Sequence, residues 1–249
     1  MTISVASDQP LQFFFSTPPQ TCPYLPDRSE RKIVTELSGE QSLRMHDLLI
    51  GAGFRRSHGM VYRPACTGCK ACLPVRIRVS EFQPSRSLRR VWKRNSDLQA
   101  KILNAVASEE QYALFARYQK SRHGDSGMAS MSFDDYRAMV EDTVVQTMVV
   151  EFRDPLGRLV SVSLSDRLGD GLSGVYKFFD PDQSRRSAGT FIILWHVHHA
   201  HGECLPFVYL GYWIADCRKM AYKSRFSGLE SLNGSLWSPI LPKTNEHPT

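Results

Sequence analysis

The sequence predicts an α+β protein in two parts: a small N-terminal β-rich domain holding a cysteine cluster, and a larger C-terminal domain built on an antiparallel sheet. Three observations carry this. Three strand-like runs follow one another between residues 145 and 180, joined by the turn-rich stretches "DPLG" and "GDG". An apolar helix and one more strand come directly after them. Ahead of all these, three cysteines stand in "CTGCKAC" between short runs of alternating polarity. At 249 residues, 42% hydrophobic and 22% charged, the composition is that of an ordinary globular chain whose length suits one large domain or two small ones.

Taken in order, "SLRMHDLLIGAGF" has helical apolar spacing and stops at Gly51 and Gly53, while "MVYRPA" and "LPVRIRV" alternate as short strands do. From Ser85, "SRSLRRVWKRNSDLQAKIL" reads as an amphipathic helix with Leu88, Val91, Leu98 and Ile102 on one face. The first domain is expected to span 1–105 and the second 106–237. In the second, the helices "EEQYALFARYQKSRH" and "FDDYRAMVEDT" flank a loop in which Ser130 or Ser132 can cap the later helix. The runs "VQTMVVEFR", "RLVSVSLSDRL" and "GLSGVYKFFD" then form an antiparallel meander, "TFIILWHVHHAHG" a helix and "LPFVYLGYW" a strand. A β-α-β closure on a meander is the core of the acetyltransferase-like (GNAT-like) fold. The polar, proline-containing tail, 238–249, is expected to be disordered.

The longest apolar runs fall short of the roughly 18 residues a membrane span needs, and the N-terminus lacks the charged-then-apolar order of a signal peptide. A cytoplasmic protein with no membrane partner is expected. Six cysteines in such a chain point to reduced thiols or metal ligands, and a net charge of +6 points to a polyanionic partner.

Cys66, Cys69 and Cys72 are spaced so that their sulfurs can converge on one ion, with Cys22 of "TCPYLPD" as a fourth ligand and Lys70, Arg63 and Arg76 near enough to favour thiolates. The site would hold structural zinc or an iron–sulfur cluster; the alternative is a set of reduced thiols at a tight turn. Arg86, Arg89, Arg90, Lys93 and Arg94 fall at i, i+3, i+4, i+7 and i+8 of the helix after Ser85, a stripe suited to a nucleic-acid phosphate backbone, or else a solvated face. The loop "DQSRRSAGT" places Arg185, Arg186 and Gly189 at a helix start, where backbone N–H groups and arginines can hold phosphates. Arg186 and Gly189 fit the pyrophosphate loop of acetyltransferases and Phe191 does not; the alternative is that Ser187 or Gly189 merely caps the helix. His196, His198, His199 and His201 crowd one helix without the i,i+4 spacing of helical zinc motifs, and read as a packed or surface cluster.

In "YLGYWIADCRKMAYKSRF", four cations stand among aromatics at the end of a strand. Lys219 and Lys223 are one turn apart if the segment is helical, with Arg225 near that face. Tyr212, Tyr222 and Asp216 belong to the same stretch, and Tyr176 lies in the last strand of the meander. The bland alternative is a charged surface element anchored by Tyr222 and Phe226.

Together "CPYLPDR", "GFRRS", "VYRPACTGCKACLPVRI", "SRSLRRVWKRN", "VYKFFDPD", "AGTFIILW" and "VYLGYWIADCRKMAYKSRF" resemble the bacterial aspartate/glutamate leucyltransferases, relatives of the eukaryotic arginyl-tRNA–protein transferases, over about residues 11 to 237. The resemblance implies that leucine passes from leucyl-tRNA to the α-amine of proteins beginning with Asp or Glu, marking them for degradation in the N-degron pathway. It implies no covalent enzyme intermediate and no cofactor required for transfer. An aminoacyl ester is already an activated donor, so holding two substrates in register can supply much of the acceleration. On that reading Lys219, Lys223 and Arg225 would hold the acceptor's carboxylate, Tyr176, Tyr212 and Tyr222 would orient the ester or its ribose hydroxyl, Asp216 would accept a proton from the attacking amine, and the stripe from Arg86 to Arg94 would bind the tRNA. The eukaryotic relatives carry paired cysteines in both parts of the cluster, whereas this chain has one in "CPYL" and three in "CTGCKAC". Leucine rather than arginine or phenylalanine as the donor amino acid follows from the resemblance alone. Two competing readings are a CoA-dependent N-acetyltransferase and a non-catalytic zinc-containing RNA-binding module.

Overall fold

A computed structural model describes residues 12–122 and 127–240. The N-terminal part comprises β1 (Phe15–Ser16), β2 (Gln20–Thr21), β3 (Ser29–Glu30), β4 (Lys32–Glu36), α1 (Ser42–Gly51), β5 (Arg55–Ser57) and β6 (Met60–Pro64). Next come β7 (Leu73–Arg78), α2 (Arg86–Arg94), β8 (Gln99–Asn104), α3 (Glu109–Arg122) and α4 (Phe133–Glu141). The chain continues through β9 (Thr147–Arg153), β10 (Leu159–Arg167), β11 (Gly171–Phe179), α5 (Ala188–Gly202), β12 (Phe207–Trp213), β13 (Leu229–Asn233) and β14 (Leu236–Pro239). Among the described residues, no helix is long and apolar enough to cross a membrane.

Strands β9, β10 and β11 form the expected antiparallel meander, and α5 carries the chain across to β12, which pairs with β11 in parallel. The fold class is therefore the α+β, acetyltransferase-like one, with a small four-stranded sheet, β1-β4-β6-β5, at the N-terminus. The large sheet has eight strands in the order β14-β13-β7-β12-β11-β10-β9-β8. Its β7 and β8 both precede residue 105, so the division anticipated there falls between strands of one continuous sheet. Alternation along the strands sorts the core into two layers. Val150 and Phe152 pack with Leu88 and Val91 of α2 and Phe191, Ile192 and Val197 of α5. Val149, Val162, Leu164 and Phe178 face the other way, against α3 and α4.

The basic helix ends sooner than expected. Ser85 caps α2 by accepting from Leu88 N–H, and Leu88 and Val91 are buried, but the helix stops at Arg94. Asn95 ends it: its side-chain nitrogen donates to Val91 O at 2.9 Å and to Arg186 O at 2.8 Å. Residues 99–104 pair with β9 instead, Leu98 packs on the core from outside the helix, and Ile102 is 47% exposed. Of the two candidate caps, Ser132 starts α4, in a reciprocal pair with Asp135. The beginning of the tail expected to be disordered is a strand, since Ser238 and Pro239 pair with β13; residues 241–249 lie outside the described ones.

Arg56 of β5 locks the small sheet to the large one. It is buried and donates to both carboxylate oxygens of Asp166 on β10 at 2.7 Å, where Thr147 also donates at 2.8 Å and His46 stands 3.3 Å away. Burial alone would raise the Asp166 carboxyl, but its bonds with His46 and Arg56 hold it below the usual carboxylate range.

Candidate active site

Strands β11 and β12 pair over only three residues each, Gly171–Ser173 with Phe207–Tyr209, and then part. A bulge marks each strand where they separate. The β10–β11 register slips so that Val175 has no partner, and the β12–β7 register slips past Leu210. The carbonyls freed there take side-chain donors. Arg55, reaching over from β5, donates through Nη2 to Gly174 O at 2.8 Å and Val175 O at 3.0 Å. Lys223 donates to Leu210 O at 2.9 Å and also to Tyr212 O.

Between the parted strands lies a cavity of about 380 Å³. Arg55, Lys177, Lys219 and Lys223 line it, and among the described residues on its wall there is no Asp or Glu. Lys177 enters from β11 and donates to Gly189 O of α5 at 2.7 Å, with its ammonium 5.1 Å from the centre of the Tyr222 ring. Burial, and then the charge of Arg55, bring the Lys177 ammonium down to about 7. Burial, Arg55 and Lys177 likewise depress Lys223 far below the usual lysine value. Behind them His196 is buried with Nε2 2.9 Å from Ser165 Oγ, and burial followed by the charges of Lys177 and His199 holds it down to about 3. It is a packed, neutral histidine, as its spacing suggested.

Three of the four expected catalytic side chains meet here. Tyr176, Tyr212 and Tyr222 all line the cavity. Burial pushes the Tyr176 and Tyr222 phenols up to about 12, so both remain hydroxyl donors at neutral pH. Tyr176 Oη accepts from Gln119 at 2.7 Å, which leaves its proton for another acceptor. Tyr212 spends its hydroxyl on the carbonyls of Gly53 at 3.0 Å and Tyr62 at 3.1 Å, and so props the wall. Asp216 is not part of the group: it lies exposed in the turn after β12, away from the cavity lining.

The cations after β12 are divided. Residues 221–225 form a 3-10 turn rather than an α-helix, which sets Lys223 and Arg225 about 120° apart around its axis. Lys223 faces in with Lys219 at the rim, whereas Arg225 faces solvent and donates to Ser87 Oγ of α2 at 3.2 Å. The anticipated phosphate loop is used for packing. Both terminal nitrogens of Arg186 reach Asp97 at 2.8 Å, its Nε reaches Gln183, and the Arg185 carbonyl accepts from Arg94. The backbone of Ser187 caps α5 through its carbonyl, and the Gly189 carbonyl is held by Lys177. Arg185 remains exposed beside α2.

On α2 the five basic residues Arg86, Arg89, Arg90, Lys93 and Arg94 are all exposed, and among the described residues none pairs with a carboxylate. The cysteines present a mixed picture. Cys66, Cys69 and Cys72 line a second cavity, and burial followed by the proximity of Cys66, Cys22 and Cys69 pushes the Cys72 thiol up to about 11. The four thiols are thus near neighbours. Yet among the described residues no three His, Cys, Asp or Glu side chains converge as metal ligands do, and Cys66 instead accepts the Arg31 N–H at 3.5 Å. Arg76, expected beside the thiols, pairs with Glu230 at 2.7 Å.

Arg55 and Lys177 were not singled out from sequence. Arg55 is one of two adjacent arginines in "GFRRS", indistinguishable by type from Arg56, which serves the buried pair. Lys177 had a signal, a lone cation inside an otherwise apolar strand, "GVYKFF".

Residues 20–90 match the family model described as arginine-tRNA-protein transferase, N terminus, and residues 110–233 the one described as its C terminus. The aspartate/glutamate leucyltransferase of Paramagnetospirillum magneticum is 54% identical over 92% of this chain and 94% of its own. That of Granulibacter bethesdensis is 51% identical over 92% of this chain and 86% of its own. In fold alone the chain is similar to the structure of L-PGS from Bacillus licheniformis, at 10% identity and a TM-score of 0.50, covering 67% of this chain and 61% of that one. With both family models matched and half of its residues shared with relatives along nearly their whole length, the chain belongs to the aspartate/glutamate leucyltransferases, enzymes of the arginine-tRNA–protein transferase family.

Proposed function

We propose that the chain transfers leucine from leucyl-tRNA to the α-amine of proteins that begin with Asp or Glu, in the cytoplasm, and so marks them for degradation. The supporting observation is the cavity between β11 and β12, lined by Arg55, Lys177, Lys219 and Lys223 with no carboxylate among the described residues of its wall. Buried lysines can relieve such crowding by losing a proton, but arginine cannot. Arg55 is therefore a fixed positive charge in want of an anion, and the acidic side chain of the acceptor supplies one. Ile193, Leu210 and Met220 line the same space and offer an apolar wall to the leucyl side chain. Tyr176 and Tyr222, both protonated, are placed to donate to the ester oxygens, and Lys219 at the rim adds to the attraction for the acidic chain. Lys223 braces the β12 bulge.

The tRNA body is assigned to the exposed arginines and lysine of α2, with Arg185 and Arg225 beside them. The four cysteines form a proposed structural zinc or cluster site with no part in the transfer; binding would draw the thiols together and release their protons. The test is direct. Leucyl-tRNA carrying labelled leucine is incubated with peptides beginning with Asp, Glu, Asn or Ala, beside a parallel reaction with acetyl-CoA. Label should appear on the Asp and Glu peptides alone, and none should come from acetyl-CoA. Equal labelling of the Ala peptide, or acetylation in place of leucylation, overturns the reading.

A further inference from the structure

We propose that Lys177 is the proton carrier of the reaction, taking a proton from the acceptor's α-amine and passing it to the ribose oxygen of the departing tRNA. This rests on the leucyl transfer proposed above. Lys177 stands two residues beyond the Val175 bulge, where β12 has already left β11, so its side chain enters the gap between the strands. One hydrogen bond, to Gly189 O at 2.7 Å, holds the amine in place. In its neutral form the nitrogen keeps a second hydrogen and a lone pair for the cavity.

The groups facing it make the neutral form accessible. Arg55 approaches from β5 and His196 from α5, with Tyr222 and Lys223 on the turn after β12 and Tyr118 on α3. None carries a negative charge at neutral pH, and three of them, Arg55, His196 and Lys223, are cations when protonated. Burial and Arg55 together lower Lys177 to about 7, where a general base is most useful.

Its neighbours are worse suited. Arg55 does not release its proton. Lys223 is fastened by its amine to two backbone carbonyls. His196 has its Nε2 engaged with Ser165 and binds a proton only near pH 3. Tyr176 and Tyr222 hold theirs up to about 12. Asp216, the base expected from sequence, is outside the cavity.

The step balances without a further reactant. The acceptor's α-amine, with an ordinary pKa of about 7.7–8, is pushed toward its neutral form by the same positive surroundings. Its nitrogen lone pair adds to the leucyl carbonyl carbon while one N–H proton passes to the neutral amine of Lys177. The carbon–oxygen ester bond then breaks with its electron pair on the ribose oxygen, and that oxygen takes the proton from the Lys177 ammonium. One amide bond has formed, one ester bond has broken, and Lys177 is neutral again.

Single-turnover transfer to an Asp-starting peptide tests this, with wild type, Lys177→Met and Lys177→Arg followed from pH about 5.5 to about 9 at saturating peptide. Wild type should rise with pH and level off past a midpoint near 7. Both variants should lose about 100- to 1,000-fold in rate, and with it that midpoint. Leucyl-tRNA affinity and melting temperature, measured alongside, should stay close to wild type. A second acceptor with a less basic α-amine separates the two titrations, because a midpoint owned by Lys177 stays where it is. Retention of rate within a few-fold in either folded variant, or a midpoint that moves with the acceptor's amine, overturns the assignment. Wild type that transfers no leucine at all overturns the leucyl-transfer reading itself.

Discussion

A Cβ on Gly211 would collide with the Arg55 side chain, so the positive φ of that glycine, +71°, and the reach of the arginine form one arrangement. Removing either should have the same consequence. Arg55→Met and Gly211→Ala should each lower kcat/KM for Asp-starting peptides by about 30-fold or more, the scale of about 2–5 kcal/mol for a lost buried charge partner. The preference for Asp over Asn should collapse, while leucyl-tRNA affinity holds; peptide competition assays with both variants check it. The neighbouring arginine has a different task. Arg56→Ala strands the buried Asp166 carboxylate and should cost about 3–5 kcal/mol, seen as a lower melting temperature by calorimetry. The sign with pH follows from the lowered carboxyl: its stabilisation is complete above its unfolded value of about 3.9 and is lost as pH falls through the lower folded value. The gap in melting temperature between wild type and Arg56→Ala should therefore narrow in acid. Sequence could not assign these two tasks, because adjacent residues of a strand point to opposite faces and only the partner strands say which face is which.

At the scale of elements, α2 presents its cations to solvent and its Leu88 and Val91 to the core. Arg86, Arg90 and Lys93 are the substitutions of choice, since Arg94 also holds the Arg185 carbonyl and Arg89 the Pro84 carbonyl. Changing the three to Gln should weaken leucyl-tRNA binding and flatten the slope of log affinity against log salt by about 2–3, as titrations at several salt concentrations would read. The stripe was legible because it needs only helical periodicity, as were the meander and the closing helix. The end of α2 was not, because Asn95 ends it by bonding to Arg186, a residue 91 positions away. The stretch after β12 misled because a turn of α-helix is expected where the chain makes a 3-10 turn over 221–225, with Lys219 outside it, Lys223 in the cavity wall and Arg225 exposed. The cysteine spacing leads to a measurement of its own. Elemental analysis of anaerobically purified protein should find about one zinc or one cluster per chain, and chelation should lower the melting temperature while leaving the chemistry of transfer intact.

Across the whole molecule, the two matched family segments meet in one sheet, with β7 from the first lying between β12 and β13 from the second. Arg55 crosses the same seam to reach the gap beside β11. This placement also sets an order of events during synthesis. Translation delivers β7 well over a hundred residues before either strand that will flank it, at about 5–20 residues per second, so the strand waits several seconds for its neighbours. Until β12 and β13 have left the ribosome, β7 has neither ladder to join, and Arg55 has no Gly211 to lie against. A chain cut short by premature termination would therefore expose an unpaired, β-branched strand to chaperones and proteases and could not act on other proteins. The interleaved sheet makes completion of the chain a condition of its activity.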